Sequence, residues 1–291
     1  MTLQQRLAAH AVHCTPTPLE TVAWRGAGDA TAPVMVLLHG IGSASASWLA
    51  QLDAAAQGDL PLRVVAWDAP GYGSSDALNP PEPKAADYAQ RLWALLDALQ
   101  INTAHLVGHS LGAMMAAAAT RIHPTRVLSL TLLSPAQGYG TATAEVREAK
   151  LRDRLHALNT LGPQGMATRR GAAMLSPNAS AEQIAFIQSV MAQIHPAGYT
   201  QAAHMLSAGD IAADLAQLHC SITVASGSAD SITPPAGCMA LAERIKAPYL
   251  SLGAVGHACA IEAGSAVTQL LAQVASTPSI PQPASHTTGT P

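Results

Sequence analysis

Charge is scarce in this chain. Only 11% of its 291 residues are charged, and 15 Lys and Arg stand against 18 Asp and Glu, a net charge of −3. Lys and Arg form no block, and aromatic residues make up 3% with a single Phe, so there is neither an electrostatic footprint nor a stacking platform for nucleic acid. Long apolar runs are missing as well. No run of uncharged apolar residues reaches the ~18 that a membrane span needs, and Met1 to His10 has no apolar core ahead of a small-residue cleavage site. The expectation is a cytoplasmic protein with no membrane partner. Cysteine is sparse: Cys14, Cys220, Cys238 and Cys259 have no C-x-x-C spacing and read as reduced core thiols. The chain has 12 His, but H-E-x-x-H is lacking and no i, i+4 His pair stands beside a carboxylate on a recognisable helix. Neither a metal nor another cofactor is expected.

What the chain has in quantity is apolar residues, 49%, enough for a substantial core. Strand-like runs alternate with Ala/Leu-rich helical spacing, the pattern of βαβ units around a mostly parallel sheet flanked by helices. Strands are predicted over 34–39, 62–67, 104–107, 127–133, 222–225 and 249–252, and Tyr88, Leu92, Leu95, Leu96 and Leu99 share one helical face. Between the fourth and fifth of these strands, residues 138–207 show helical periodicity and no strand. Ordinary connections run to ~2–6 residues, so this interval is expected to be a helical cap. The expected division is a core of residues 1–137 and 208–276, the cap, and a Pro/Ser/Thr-rich disordered tail over 277–291.

Chemistry concentrates at Gly108-His109-Ser110-Leu111-Gly112, a G-x-S-x-G between an apolar strand and an Ala-rich helix. The bare pattern arises by chance on the order of 0.1 times in a chain this long, with Gly and Ser each near 7%. The strand–turn–helix context raises it to a nucleophile elbow, a turn that projects the Ser110 hydroxyl from the carboxyl end of the sheet. A serine hydroxyl is inert at neutral pH without a base, and the base needs an orienting carboxylate. His257, after the last strand, is the base candidate, and Asp230, after the penultimate strand, is the acid candidate. Ser134 occupies the alternative acid position after the fourth strand and cannot serve. His109 flanks the nucleophile and is expected to shape the elbow. Negative charge developing on a tetrahedral intermediate calls for aligned donors. The Leu111 N–H and the Ile41 N–H are the candidates, with Gly40 and Gly42 letting the backbone approach substrate.

His39-Gly40, Asp68-Ala69-Pro70-Gly71-Tyr72-Gly73-Ser74-Ser75, the elbow, His123-Pro124 with Arg126-Val127, Asp230 and Gly256-His257 occur in order. Together they resemble the α/β-hydrolase superfamily, in its bacterial esterase, enol-lactonase and meta-cleavage-product hydrolase branch. The resemblance covers about 34–275. It implies the α/β-hydrolase fold with an inserted cap and a cofactor-independent serine hydrolase acting on a small to medium ester or lactone. Ser110, His257 and Asp230 form the implied triad. A carbon–carbon hydrolase or a cofactor-free oxygenase of the same fold is the alternative. Gly42-Ser43-Ala44 stands where carbon–carbon hydrolases often carry Gly-Pro-Gly, and Ser at 110 departs from the Asp nucleophile of dehalogenases and epoxide hydrolases. In the cap, Arg169 and Arg170 would clamp a substrate carboxylate if either turned inward over Ser110, and are solvated otherwise. Trp48 either lines the pocket or anchors its helix. A monomer or homodimer with a small-molecule substrate is expected.

Overall fold

The computed structural model describes residues 1–216 and 218–277. Of the tail expected to be disordered, only Thr277 is among them; the rest lies outside the described residues. The chain opens with a short helix α1 (Leu3–Leu7) and a hairpin of β1 (Val12–Thr17) and β2 (Glu20–Ala27). Then come β3 (Val34–Leu38), α2 (Leu49–Gln57), β4 (Arg63–Trp67), α3 (Ala85–Ala98), β5 (Ala104–His109), α4 (Leu111–Ile122) and β6 (Val127–Leu133). A helical insertion follows, formed by α5 (Ala144–Arg170), α6 (Ala181–Met191), α7 (Pro196–Ala208) and α8 (Ile211–Leu215). The chain returns through β7 (Ser221–Ser226), α9 (Pro235–Arg244), β8 (Tyr249–Ser251), α10 (Cys259–Glu262) and α11 (Gly264–Ser276).

The strands form one eight-stranded sheet in the order β1-β2-β4-β3-β5-β6-β7-β8. The β1–β2 and β2–β4 pairs are antiparallel, and from β4 onward every pairing is parallel. The expected mostly parallel sheet is therefore present. Successive side chains of a strand point to opposite faces, and here both faces are covered. Val36, Leu38, Val65, Trp67, Leu106, Leu130 and Leu132 enter one core with α3 and α4. Their neighbours Met35, Leu37, Val64, Ala66, Val107 and Leu133 enter a second core with α2 and α11. This is why these strands read as apolar runs. The β1–β2 hairpin is additional to the predicted strands. Its first strand, V-H-C-T-P-T, is an edge strand with little apolar content, and Cys14 is exposed on it instead of lying in the core. The other three cysteines are buried free thiols.

In the insertion, α5 is bent rather than straight. Gly162 adopts φ 62°, ψ 177°, and Pro163 follows it inside the helix, lacking the N–H that would continue the ladder. α1 ties the insertion to the layer beneath. Leu3 N–H donates to Glu182 Oε1 of α6 at 2.7 Å, and the Gln4 amide meets the Ser189 hydroxyl of the same helix. On the other side, Arg6 and His10 both reach Asp53 of α2, each at 2.6 Å. Leu3 and Leu7 pack against a small cluster of Ala46, Leu49, Phe186 and Val190. Phe186, 2% exposed, is the chain's single phenylalanine and the largest member of that cluster. Phe186→Ala is expected to cost about 3–5 kcal/mol, read as a lower thermal midpoint by circular dichroism; an unchanged midpoint would show that the cluster holds nothing together.

Candidate active site

β5 ends at His109 and α4 begins at Leu111, so Ser110 alone makes the turn between them. Its backbone sits at φ 52°, ψ −117°, a costly conformation for a residue with a side chain. The surroundings enforce it. Ser110 N–H donates to Leu133 O at 2.9 Å, and Ser110 O accepts from Ala113 and Ala136 N–H, both at 3.1 Å. The turn also presses against the end of β3. A Cβ on Gly112 would lie 2.2 Å from the Leu38 carbonyl oxygen, and one on Gly40 would lie 2.8 Å from Ser110 Cβ. Only glycine permits that approach at either position.

The loop after β3 carries the second donor candidate. Its entry is fixed by His39, whose Nδ1–H donates to Gly40 O at 2.8 Å while Nε2 accepts from Ala69 N–H at 3.0 Å. Burial lowers the His39 pKa, and both ring nitrogens are engaged, so this ring is a brace and not a base. Ile41 and Leu111 then line the same cavity as Ser110. Leu111 is the first residue of α4, where a helix leaves N–H groups without intrahelical acceptors and the dipole favours negative charge.

The base side is built by the loops after β7 and β8. His257 Nδ1–H donates to Asp230 Oδ2 at 2.9 Å, which leaves the Nε2 lone pair as the basic position of the ring. Both side chains are buried, at 2% and 0% exposure. Burial alone would raise the Asp230 carboxyl. The hydrogen bond and charge of His257 and the Thr233 amide outweigh it and hold the carboxyl well below the usual carboxylate range. Asp230 Oδ1 accepts from Ile232 and Thr233 N–H, both at 2.9 Å. The Thr233 hydroxyl lies 2.8 Å from Asp230 Oδ2, 3.0 Å from Ser134 O and 3.1 Å from His257 Nδ1. It gives its one proton to the carboxylate or the carbonyl and accepts a share of the Nδ1–H. The sequence reading missed Thr233, although a Thr three residues after a turn-forming Asp is a local signal.

His109 supports His257 from behind. Its Nε2–H donates to His257 O at 2.8 Å, and burial together with the neighbouring His257 lowers its pKa to about 3, so the ring stays neutral. Glu262 is a further brace that the sequence did not reveal. Its carboxylate accepts from Gly256 N–H and Ser176 N–H, both at 2.9 Å, and from the Ser176 hydroxyl. Ala258 N–H donates to Met174 O at 2.7 Å, a second tie between the His257 loop and the insertion.

Two cavities meet at Ser110. The larger, about 250 Å³, is lined by Ile41, Gly42, Ser110, Leu111 and His257 from the sheet side and by Arg154, Met166, Arg170, Met174 and Met191 from the insertion. The smaller, about 30 Å³, is lined by Gly40, Trp48, His109 and Ser110 together with apolar residues of α6. Trp48 thus lines a cavity, and Arg170 faces the larger one. Arg169 is exposed and lines neither, because consecutive helix residues point about 100° apart. Arg154 was not singled out from the sequence; its orientation depends on the bend in α5. Cys238 also borders the larger cavity, but burial pushes its thiol up to about 11 and keeps it protonated. No group of three or more His, Cys, Asp and Glu able to hold a metal occurs among the described residues. No described helix is long and apolar enough to cross a membrane.

Comparison with known proteins points to one fold. A family model described as alpha/beta hydrolase fold matches residues 33–161. A 2-hydroxy-6-oxononadienedioate/2-hydroxy-6-oxononatrienedioate hydrolase of Paraburkholderia phymatum is 37% identical over 116 residues, 39% of this chain and 38% of the relative. A putative carbamate hydrolase RutD of Variovorax paradoxus is 32% identical over 137 residues, 47% of this chain and 49% of the relative. The chain therefore matches less than half the length of these curated relatives. Among solved structures, the enol-lactonase from Burkholderia xenovorans LB400 superposes with a TM-score of 0.79 at 22% identity, covering 91% of this chain and all of that one.

The neutral, buried His109 makes a pH prediction. Its pKa falls from 6.5 to about 3 on folding, so below pH 6.5 the unfolded chain takes up a proton that the folded chain refuses. The stability this ring contributes is complete above pH 6.5 and declines as the pH drops toward 3, by up to about 1.4 kcal/mol per unit. Urea denaturation across that window is expected to show a flatter acid slope for His109→Gln than for the wild type; equal slopes would count against a neutral ring.

Proposed function

Taking as premise that the chain has the α/β-hydrolase fold, we propose that it is a serine hydrolase that cleaves a carboxylic ester or lactone through an acyl-enzyme. The observation that carries this reading is the 2.9 Å hydrogen bond from His257 Nδ1–H to Asp230, with His257 and Ser110 bordering the same cavity. The bond fixes the tautomer a general base requires. As Ser110 Oγ bonds to the carbonyl carbon, its proton passes to His257 Nε2. The carbonyl π pair becomes the oxyanion, held by the N–H groups of Leu111 and Ile41. Collapse breaks the carbon–oxygen bond to the leaving group, which departs as an alcohol with the proton from His257. Water then gives a proton to the same Nε2 as its oxygen attacks the acyl carbon. A second collapse releases the carboxylic acid and returns the proton to Ser110. The cycle balances without a cofactor. Each aligned oxyanion donor is worth roughly 2.7–4 kcal/mol, and the 250 Å³ cavity suits small to medium substrates.

The test is hydrolysis of p-nitrophenyl esters from acetate to octanoate. The wild type is expected to turn over the shorter members, and Ser110→Ala and His257→Ala to lose about 10⁴-fold or more. Full activity in either variant would falsify the assignment, and a wild type inert toward every ester would move it to carbon–carbon cleavage. Thr233 acts through His257 and Asp230, so Thr233→Val is expected to lower kcat about 10- to 100-fold with little change in KM. Thr233→Ser should restore most of it; a Val variant with unaltered kcat would reduce Thr233 to a packing role.

A further inference from the structure

Two arginines and no acidic residue line the larger cavity. They are Arg154 and Arg170, both half-buried. Four arginines elsewhere are ion-paired: Arg6 with Asp53, Arg91 with Glu20, Arg121 with Asp214 and Arg126 with Asp97. Arg154 and Arg170 have no ion pair or hydrogen bond among the described residues. Two like charges on the wall of one cavity repel each other, and an anion between them would relieve that repulsion. The backbone has been shaped to bring them together. In an unbroken helix, residues 154 and 170 would stand about 24 Å apart along the axis. The bend at Gly162–Pro163 folds the two arms of α5 so that both side chains face one cavity.

The other cavity complements this. At about 30 Å³ it has room for roughly two water-sized atoms, and its walls of Trp48, Ile187, Val190, Met191 and Ile261 carry no charge. Ser110, Ile41, Gly42 and His257 border both cavities, so a carbonyl at Ser110 has one arm in each.

We propose that the substrate is a carboxylate-bearing ester or lactone, its anionic side held by Arg154 and Arg170 in the larger cavity and a small apolar group seated against Trp48 in the smaller. The planar fork of each guanidinium matches the two oxygens of a carboxylate. This rests on the serine hydrolase reading above and names its substrate class.

The experiment compares 4-acetoxybenzoate and 4-acetoxybutanoate with their neutral carboxamides. For the wild type, kcat/KM is expected to favour each carboxylate at least tenfold. Arg154→Gln and Arg170→Gln should each bring that ratio down toward one through KM, while Arg169→Gln, outside the cavity, leaves the ratio unchanged. Thermal midpoints of the variants check that they are folded. In parallel, calorimetric titration of 4-acetoxybenzoate into Ser110→Ala measures binding without turnover, and Arg154→Gln or Arg170→Gln in that background should weaken it at least tenfold. Equal turnover of carboxylate and carboxamide, with a ratio that the arginine variants do not move, overturns this inference and leaves the hydrolase intact. Arginine-dependent binding with no turnover of any ester by the wild type sinks the hydrolase reading and retains the anion site.

Discussion

Everything at the candidate site depends on one close approach, that of the β5–α4 turn to the end of β3. Gly112 lies so near the Leu38 carbonyl that a methyl group in its place would meet that oxygen at 2.2 Å. Because the two segments touch, Ser110 is held at a positive φ that a serine would otherwise leave, and its hydroxyl belongs to the cavity instead of to a helix cap. The same contact sets the loop from Gly40 to Ser43 beside Ser110. A single packing constraint thus positions the candidate nucleophile and both candidate oxyanion donors, and the parallel sheet supplies the rigid edge against which it acts.

The second half of the site is held by polar ties, not by sheet pairing. His257 lies on an irregular loop between β8 and α10, and such a loop keeps one geometry only if its backbone groups are engaged. Here they are: Gly256 N–H binds Glu262, Ala258 N–H binds Met174 O, and His257 O binds His109. Two of these three reach or are shared with residues 174–176 of the insertion. His257 is therefore braced in part by the helices that roof the cavity. The low pKa values of His109 and Asp230 belong to the same arrangement, since both keep the charge state that their hydrogen bonds require.

The central strands were legible because burial on both faces forces an apolar run, unbroken in V-M-V-L-L of β3 and V-V-A-W of β4. The elbow could be read because Gly108 and Gly112 are demanded by contacts that no other residue tolerates. Strand order and chain order put forward Asp230 and His257 as candidates, and the fold sets their side chains 2.9 Å apart. The hairpin β1–β2 escaped because an edge strand exposed along most of its length carries no apolar signature. Cys14 was misplaced for the same reason. In the insertion the sequence indicated helices but not their phase. Helical phase separates Arg169 from Arg170, whereas the pairing of Arg154 with Arg170 across one cavity depends on a bend at Gly162, whose direction is a tertiary property. Glu262 could not be found at all, since its partners at 176 and 256 are brought to it only by the finished fold.

The first turn of the chain has a further consequence. Because α1 holds α2 with one set of side chains and α6 with another, the roof of the cavity and the floor beneath the sheet are not separable parts. A recombination that exchanged the segment between β6 and β7 for that of a relative would lose Glu182, Ser189 and Phe186, and leave Leu3, Gln4 and Leu7 facing strangers. The opening residues and the roof are therefore one unit of packing, although Leu3 and Glu182 stand 179 positions apart in the chain.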